Sequence, residues 1–217
     1  MPNRSKLNRK QKWSLGINAF LLIIFGAYNV LMFSGYSTKD QAIELEFPLK
    51  NGMYYIHHGG NHVLINYHNA YPAQGYALDI VKLNKFGQRA AGIYPQQLDK
   101  YVIYGDKLYS PCNGEVVEAR DHLADLTPPD ANPDRPKGNF VNIKCEGEEA
   151  NIYIAHIQEG SVDVEAGDLV QKGEQIGLVG NSGNTTEPHL HIHAEKEGES
   201  VPIRFNGKFL KRNNIVW

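Results

Sequence analysis

Cysteine is nearly missing from this sequence: Cys112 and Cys145 are the only two, and neither belongs to a C-x-x-C pair. A zinc finger, which needs paired thiolates at short spacing, is therefore excluded. Charge of one sign is lacking as well. The net charge is −2 with both signs mixed along most of the chain, so no basic field is present to hold nucleic acid. Helical periodicity is scarce beyond the N-terminal region, and there is no repeat of fixed period and no low-complexity tract. Acidic residues are absent from the first 39 positions; the first is Asp40.

That last absence frames what the N-terminus contains. Arg4, Lys6, Arg9, Lys10 and Lys12 fall within the first thirteen residues and lead into an apolar run from about Leu15 to Tyr36. A helix needs roughly 20 apolar residues to cross the hydrocarbon core, and basic residues before it favour a cytoplasmic N-terminus. The expected organisation is a cytoplasmic basic tail over residues 1–13, a transmembrane anchor over 14–36, a polar linker over 37–46 and an extracytoplasmic domain over 47–217. A cleaved signal peptide is the competing reading, but the run is longer than the usual apolar region of about 7–15 residues and no A-x-A pattern follows it. Asn18 and Asn29 interrupt the run, either as tolerated amides or as groups facing a partner helix. A chain of 217 residues holds one sizeable domain plus such an accessory segment. Outside the membrane Cys112 and Cys145 can form a disulfide or stay as two buried thiols.

From Phe47 onward, short runs rich in Val, Ile and Tyr alternate with turn residues, which predicts a mainly β domain. Strands are expected at Met53–Ile56, Val63–Tyr67, Tyr76–Lys82, Glu115–Arg120, Phe140–Cys145, Ile152–Ile157, Gln175–Val179 and His189–Glu195, with a short helical turn within Tyr94–Lys100. The stretch from Asp121 to Gly138 carries four prolines and reads as an irregular loop, either a solvated insertion or the rim of a groove.

Histidine, in contrast, is plentiful: nine occur, three of them at His189, His191 and His193. In a strand, alternate residues share a face, so H-L-H-I-H projects a row of imidazoles to one side and Leu190 and Ile192 to the other. Imidazole is a common zinc ligand, and strands hold such side chains in fixed directions. Upstream lies a dense turn-forming stretch, Gly180 to Pro188, suited to placing the start of this strand at a cleft.

The run G-L-V-G-N-S-G-N-T-T-E-P-H-L-H resembles the signature of the lysostaphin-type (LytM) zinc endopeptidases, a glycine-rich turn followed by P-H-L-H. Ile154-Ala155-His156-Ile157 is similar to that family's histidine-bearing strand. Ala166 to Gly173 is similar to its G-D-x-V-x-x-G hairpin. The resemblance covers roughly Tyr76 to Glu195. It implies a compact antiparallel β-sheet domain with a groove, of the duplicated-hybrid-motif or β-barrel sandwich type, and a Zn²⁺ held by an Asp, a His four residues before it and the second His of H-x-H. Asp79 and His191 match two of these positions. Position 75 is Gly, so H-x-x-x-D is broken and another histidine must serve if the site is intact. His68 is the candidate, on the expectation that Tyr67–Asp79 folds as a hairpin turning between Ala73 and Gln74, which would set residues 68 and 79 opposite each other. His57, His58 and His62 are the fallback ligands. By the same resemblance His189 is the general base and His156 its partner at the oxyanion. His193 has no family role and is read as supporting or structural. Ile154 departs from the Tyr often found two residues before the position of His156.

What the resemblance implies is a hydrolase, a metallopeptidase cutting peptidoglycan stem peptides or cross-bridges. A protein activator remains open, and nucleic acid is not expected as a partner. A member that keeps the fold but has lost catalysis, and binds cell wall or regulates other hydrolases, is the alternative that Gly75 raises. A carrier domain built on the same G-D-x-V-x-x-G turn is disfavoured, because no lysine sits at a tight exposed hairpin of the carrier pattern.

Overall fold

The computed structural model describes residues 7–217, so the first six residues of the basic tail lie outside the described part. Among the described residues a single α-helix, α1 (Arg9–Ser34), precedes a domain built from strands. Asn8 caps the helix by accepting from the Gln11 backbone N–H, while the Gln11 side chain accepts from the Asn8 N–H, a reciprocal capping box. None of its residues is buried, and it is long and apolar enough to cross a membrane. Both amides within it are satisfied locally: Asn29 donates to the Phe25 carbonyl at 2.7 Å and Asn18 to the Ser14 hydroxyl at 3.4 Å.

The domain is mainly β and antiparallel. Its strands are β1 (Ile43–Leu45), β2 (Met53–His58), β3 (Leu78–Leu83), β4 (Lys107–Tyr109), β5 (Gly114–Arg120), β6 (Asn139–Cys145), β7 (Asn151–Ile157), β8 (Leu169–Val170), β9 (Gln175–Leu178), β10 (Leu190–Lys196), β11 (Glu199–Val201), β12 (Ile203–Phe205) and β13 (Ile215–Val216). The main sheet runs β13-β2-β3-β10-β7-β6-β5-β8, with β11 paired to β10, and every pairing in it is antiparallel. Strands β4 and β9 pair separately, and β1 lies parallel to β12. Residues 43–45, within the stretch expected to be linker, thus belong to the domain.

Ile56, Leu78, Ile80, Ile152, Ile154, Leu190 and Ile192 fill the core between these layers. Cys112 and Cys145 form a disulfide that ties the approach to β5 to the end of β6. Closing a loop of 33 residues contributes on the order of 3–4 kcal/mol by restricting the unfolded chain.

One expected strand does not form. Val63–Tyr67 curls into turns, with the Ile65 and Asn66 backbone N–H groups both donating to the His62 carbonyl. The Asn66 side chain, fully buried, then donates to the carbonyls of Gly60, Gly75 and Ala77, so side-chain bonding replaces a sheet ladder here. The Asp121–Gly138 loop is no free insertion either. It docks on the glycine-rich turn through Asn181, whose amide donates to the Leu126 carbonyl at 2.6 Å, and through Asn139, whose N–H donates to Ser182 Oγ at 2.9 Å. Gly138 permits this approach: its φ is +61°, and a Cβ there would stand 2.2 Å from the Ser182 carbonyl oxygen.

Candidate metal centre

Strand β10 lies between β3 and β7, and its register sets His191 opposite Asp79 on one side and Ala155 on the other. The period-two alternation does the rest. Leu190, Ile192 and Ala194 enter the core, while His191 and His193 are buried on the opposite face. His189 stands one residue before the strand, at the end of the Gly180–Pro188 turn. His191 Nδ1 lies 2.9 Å from Asp79 Oδ1, and His189 Nε2 lies 3.4 Å from the same oxygen.

His68 reaches the other carboxylate oxygen, with Nε2 at 2.9 Å from Asp79 Oδ2. It does so without the expected hairpin. The segment between β2 and β3 forms two 3-10 turns, Tyr67–Ala70 and Pro72–Gln74, and Asn66 caps the first by accepting from the His68 N–H. The contact between His68 and Asp79 therefore comes from a folded-back loop held largely by the Asn66 amide, and the strand register expected from the turn does not form. His68, Asp79 and His191 offer donor atoms that all lie within 4.8 Å of one another, and His156, His189 and His191 form an overlapping group by the same measure. His57, His58 and His62 belong to neither group. The His58 ring packs against Tyr67, 4.7 Å away, and lies 6.2 Å from the His68 ring, while His62 Nδ1 accepts from the Leu64 N–H.

His156 owes its direction to a β-bulge. Between β6 and β7, Asn139 pairs with Ile157 and Phe140 with Ala155, which leaves His156 as an extra residue with φ of +63°. Regular alternation would send His156 to the same face as Ile154. The bulge instead lets Ile152, Ile154 and Ile157 all enter the core and turns His156 toward His189, with ring centroids 4.8 Å apart. Its Nδ1–H donates to the Ser182 carbonyl at 2.8 Å, so Nε2 is the nitrogen left for chemistry. His189 is arranged alike: Nδ1 lies 2.9 Å from the Glu187 carbonyl, which fixes the proton there.

The electrostatics follow from burial and this carboxylate. Burial tends to raise Asp79, but His189 and His68 outweigh it and hold the group well below the usual carboxylate range. Burial pushes His191 down to about 3 and His156 well below the ordinary imidazole value, the latter helped by His189 and His191. His189 goes the other way: burial opposes its charge, yet Asp79 raises it. Two imidazoles and one carboxylate form a donor set of the kind that suits zinc, and three protein ligands leave a position for water.

Sequence reasoning overlooked three supporting groups. Asn66 is one. Arg89 is another: Nε and Nη2 grip the Glu187 carboxylate at 2.8 and 2.7 Å, pinning the turn that carries His189. Lys137 is the third. With Tyr67, Tyr71, Asn184, His156 and His191 it lines a cavity of about 450 Å³ beside Asp79. None belongs to a short motif, so only the fold brings them in.

Comparison with known proteins relates part of the chain to one family. The profile of Peptidase family M23 matches residues 98–203, a segment that contains His156, His189, His191 and His193 and leaves His68 and Asp79 upstream. Over 98 residues the chain is 33% identical to peptidoglycan DD-endopeptidase ShyA of Vibrio cholerae, covering 45% of this chain and 19% of that protein. An uncharacterized metalloprotease of Haemophilus influenzae is 38% identical over 64 residues, 30% of this chain and 13% of the other. The aligned part thus spans a fifth or less of these relatives' length. Among solved structures, the M23 metalloprotease pseudoalterin from the deep sea is 16% identical, with 82% of this chain and 99% of that one covered and a TM-score of 0.46. Residues 98–203 thus match peptidase family M23, while His68 and Asp79 lie outside the matched segment.

Proposed function

We propose that this protein is a zinc-dependent endopeptidase hydrolysing peptide bonds in the stem peptides or cross-bridges of peptidoglycan, held in the cell membrane by α1 with residues 47–217 outside. The observation that carries the reading is the convergence of His68, Asp79 and His191 beside two further histidines whose Nδ1 atoms are committed to backbone carbonyls. The similarity to a peptidoglycan DD-endopeptidase supports the substrate class. The Cys112–Cys145 disulfide supports an oxidising compartment, and the apolar helix supports the anchor.

Bound by His68 through Nε2, by Asp79 through a carboxylate oxygen and by His191 through Nδ1, a zinc ion would supply a Lewis acid and a water acidified to about pKa 7. The chain's own groups handle the protons. His189, its Nδ1–H committed to the Glu187 carbonyl, presents Nε2 as the acceptor for the proton of the attacking water and returns that proton to the leaving amine. His156, its Nδ1–H committed to the Ser182 carbonyl and its ring beside His189, stands where it would face the oxygen on which negative charge develops. Arg89 and Thr185 keep His189 in place, the first through Glu187 and the second through a contact of 3.1 Å to Nδ1.

The test uses the full chain in detergent, with zinc content and release of cleaved peptides from purified peptidoglycan measured together. Wild type should hold one zinc and cleave. His189→Ala should keep the zinc and lose turnover by about 10²–10⁴-fold, the usual worth of general acid–base assistance. Asp79→Ala should lose both. A metallated wild type that leaves peptidoglycan intact would favour a binding or regulatory module instead.

A further inference from the structure

His193 lies outside the ligand set and outside the proton chemistry, yet it is among the most buried polar side chains of the domain, at 1% exposure. Its Nδ1 stands 2.9 Å from His191 Nε2. Its ring stacks on Tyr153 with centroids 4.9 Å apart and planes within 12°, and Lys137 Nζ lies 3.8 Å from the centre of that Tyr153 ring. The β10–β7 register puts His193 directly opposite Tyr153, so this stack is fixed by the sheet. Its other nitrogen, Nε2, is buried with no hydrogen-bond partner and has the Glu195 carboxylate 3.9 Å away.

From this geometry we infer that His193 is a positioning residue which selects the metal-binding tautomer of His191 by accepting a hydrogen bond from His191 Nε2–H. The inference rests on the reading of His68, Asp79 and His191 as metal ligands. A neutral imidazole carries one ring proton. With His191 Nδ1 beside Asp79, binding a cation through Nδ1 requires a lone pair there, which moves the proton to Nε2. That proton, on a buried ring, needs an acceptor, and His193 Nδ1 is the group within reach. His193 then carries its own proton on Nε2, the nitrogen that faces Glu195.

Without metal both imidazoles adopt the opposite tautomer. His191 Nδ1–H donates to Asp79, and His193 Nδ1–H donates to His191 Nε2. Each residue keeps one proton in either state, so metal loading switches the pair together with no proton gained or lost by either ring. The pair is a two-position element that Asp79 biases one way and the cation the other.

The experiment measures zinc affinity of the full chain in detergent by competition with a chromophoric chelator, together with the visible spectrum of the cobalt-substituted protein. His193→Phe keeps the ring against Tyr153 and removes the acceptor. His193→Asn places Oδ1 on Cγ, where the imidazole has Nδ1, and so restores an acceptor. Loss of a supporting hydrogen bond to a ligating histidine costs about 10–100-fold in metal affinity. We expect a loss in that range for Phe with an altered cobalt spectrum, and a return to within a few-fold of wild type for Asn. Equal affinity in wild type and Phe would overturn the inference. So would an Asn variant as weak as Phe, since the side chain would then act only through its volume. Thermal unfolding of the metal-stripped variants shows whether each is folded; should Phe fail to fold, the Asn and wild-type comparison decides alone, a large loss in Asn counting against the proposal. A wild type that binds no zinc would overturn the ligand reading itself, an outcome distinct from the other two.

Discussion

His68 and His191, two of the histidines that meet at Asp79, arrive by opposite routes. His191 sits in the middle of the main sheet, where hydrogen bonds to β3 on one side and β7 on the other both specify its position. To move it, a register shared by three strands would have to slip, and each slip of one residue would send Leu190 and Ile192 to the wrong face. His68 sits on a loop of two short 3-10 turns, and its position depends on Asn66, which donates to Gly60, Gly75 and Ala77 and accepts from the His68 N–H. A ladder places a ligand redundantly. A loop that leans chiefly on one buried amide places it with less redundancy, and the two halves of one site should therefore respond differently to damage.

The largest effect breaks both halves at once. We propose that His68 and His191 bind the same ion, so His68→Ala and His191→Ala should each lower zinc content to the level of Asp79→Ala and abolish hydrolysis, since the geometry needs every ligand. If the His68 variant stays fully loaded while a His57, His58 or His62 variant empties, the loop half of the site has been assigned to the wrong imidazole.

A smaller effect separates the halves. Asn66→Leu removes four hydrogen bonds and leaves buried carbonyls unpaired, at about 1–3 kcal/mol for each group that finds no water. Zinc affinity should fall at least about 10-fold as His68 loses its anchor. Ile192→Val, one step along from His191, should cost only about 0.5–1.5 kcal/mol of stability and leave zinc affinity unchanged, because the ladder holds the ligand without help from that methyl group. Measuring urea unfolding and chelator competition on both variants checks this. Equal loss of zinc in the two would erase the distinction between ladder and amide.

What could be read from the sequence divides along the same line. Strand residues announce themselves by alternation, so the expected strands over 115–120, 140–145 and 152–157 lie within the observed β5, β6 and β7, and the H-L-H-I-H row faces one side as its period requires. The mainly β character followed from the same runs, and the antiparallel arrangement from the family resemblance. Alternation fails where a bulge interrupts it. Nothing in Ile154-Ala155-His156-Ile157 declares that His156 turns away from the face of Ile154, because the extra residue exists only relative to β6. It fails again over residues 61–77, where Val63, Leu64 and Ile65 carry a strand-like composition and the buried Asn66 side chain bends the backbone elsewhere. Short edge strands such as β8 and β13, two residues each, have too few positions to show a period at all.

The last effect is the subtlest and concerns acid. In the metal-free protein, burial lowers five imidazoles: His57, His58 to about 4, His156, His191 to about 3, and His193. An unfolded chain binds a proton at each near pH 6.5, whereas the folded chain binds it only at lower pH, so below about 6.5 the unfolded state takes up more protons and stability falls. His189 opposes this. Its raised value contributes stability that is present below pH 6.5 and lost as pH rises through the folded value, but it is one group against five. Asp79, held low, adds its share only when pH falls below the ordinary carboxylate value. The urea midpoint of chelator-treated protein should therefore drop between pH 7.5 and 5.5, a net proton being worth about 1.4 kcal/mol per pH unit. The comparison of halves sharpens the expectation. His193 lies on the strand and is 1% exposed, while His58, at the end of β2 beside the His68 loop, is only half-buried and is screened by solvent. Replacing His193 by Phe should flatten the pH dependence more than replacing His58 by Phe. A midpoint that stays level or rises on acidification would mean that these imidazoles take up protons in the folded state, and that the sheet half of the site opens to water more readily than its burial allows.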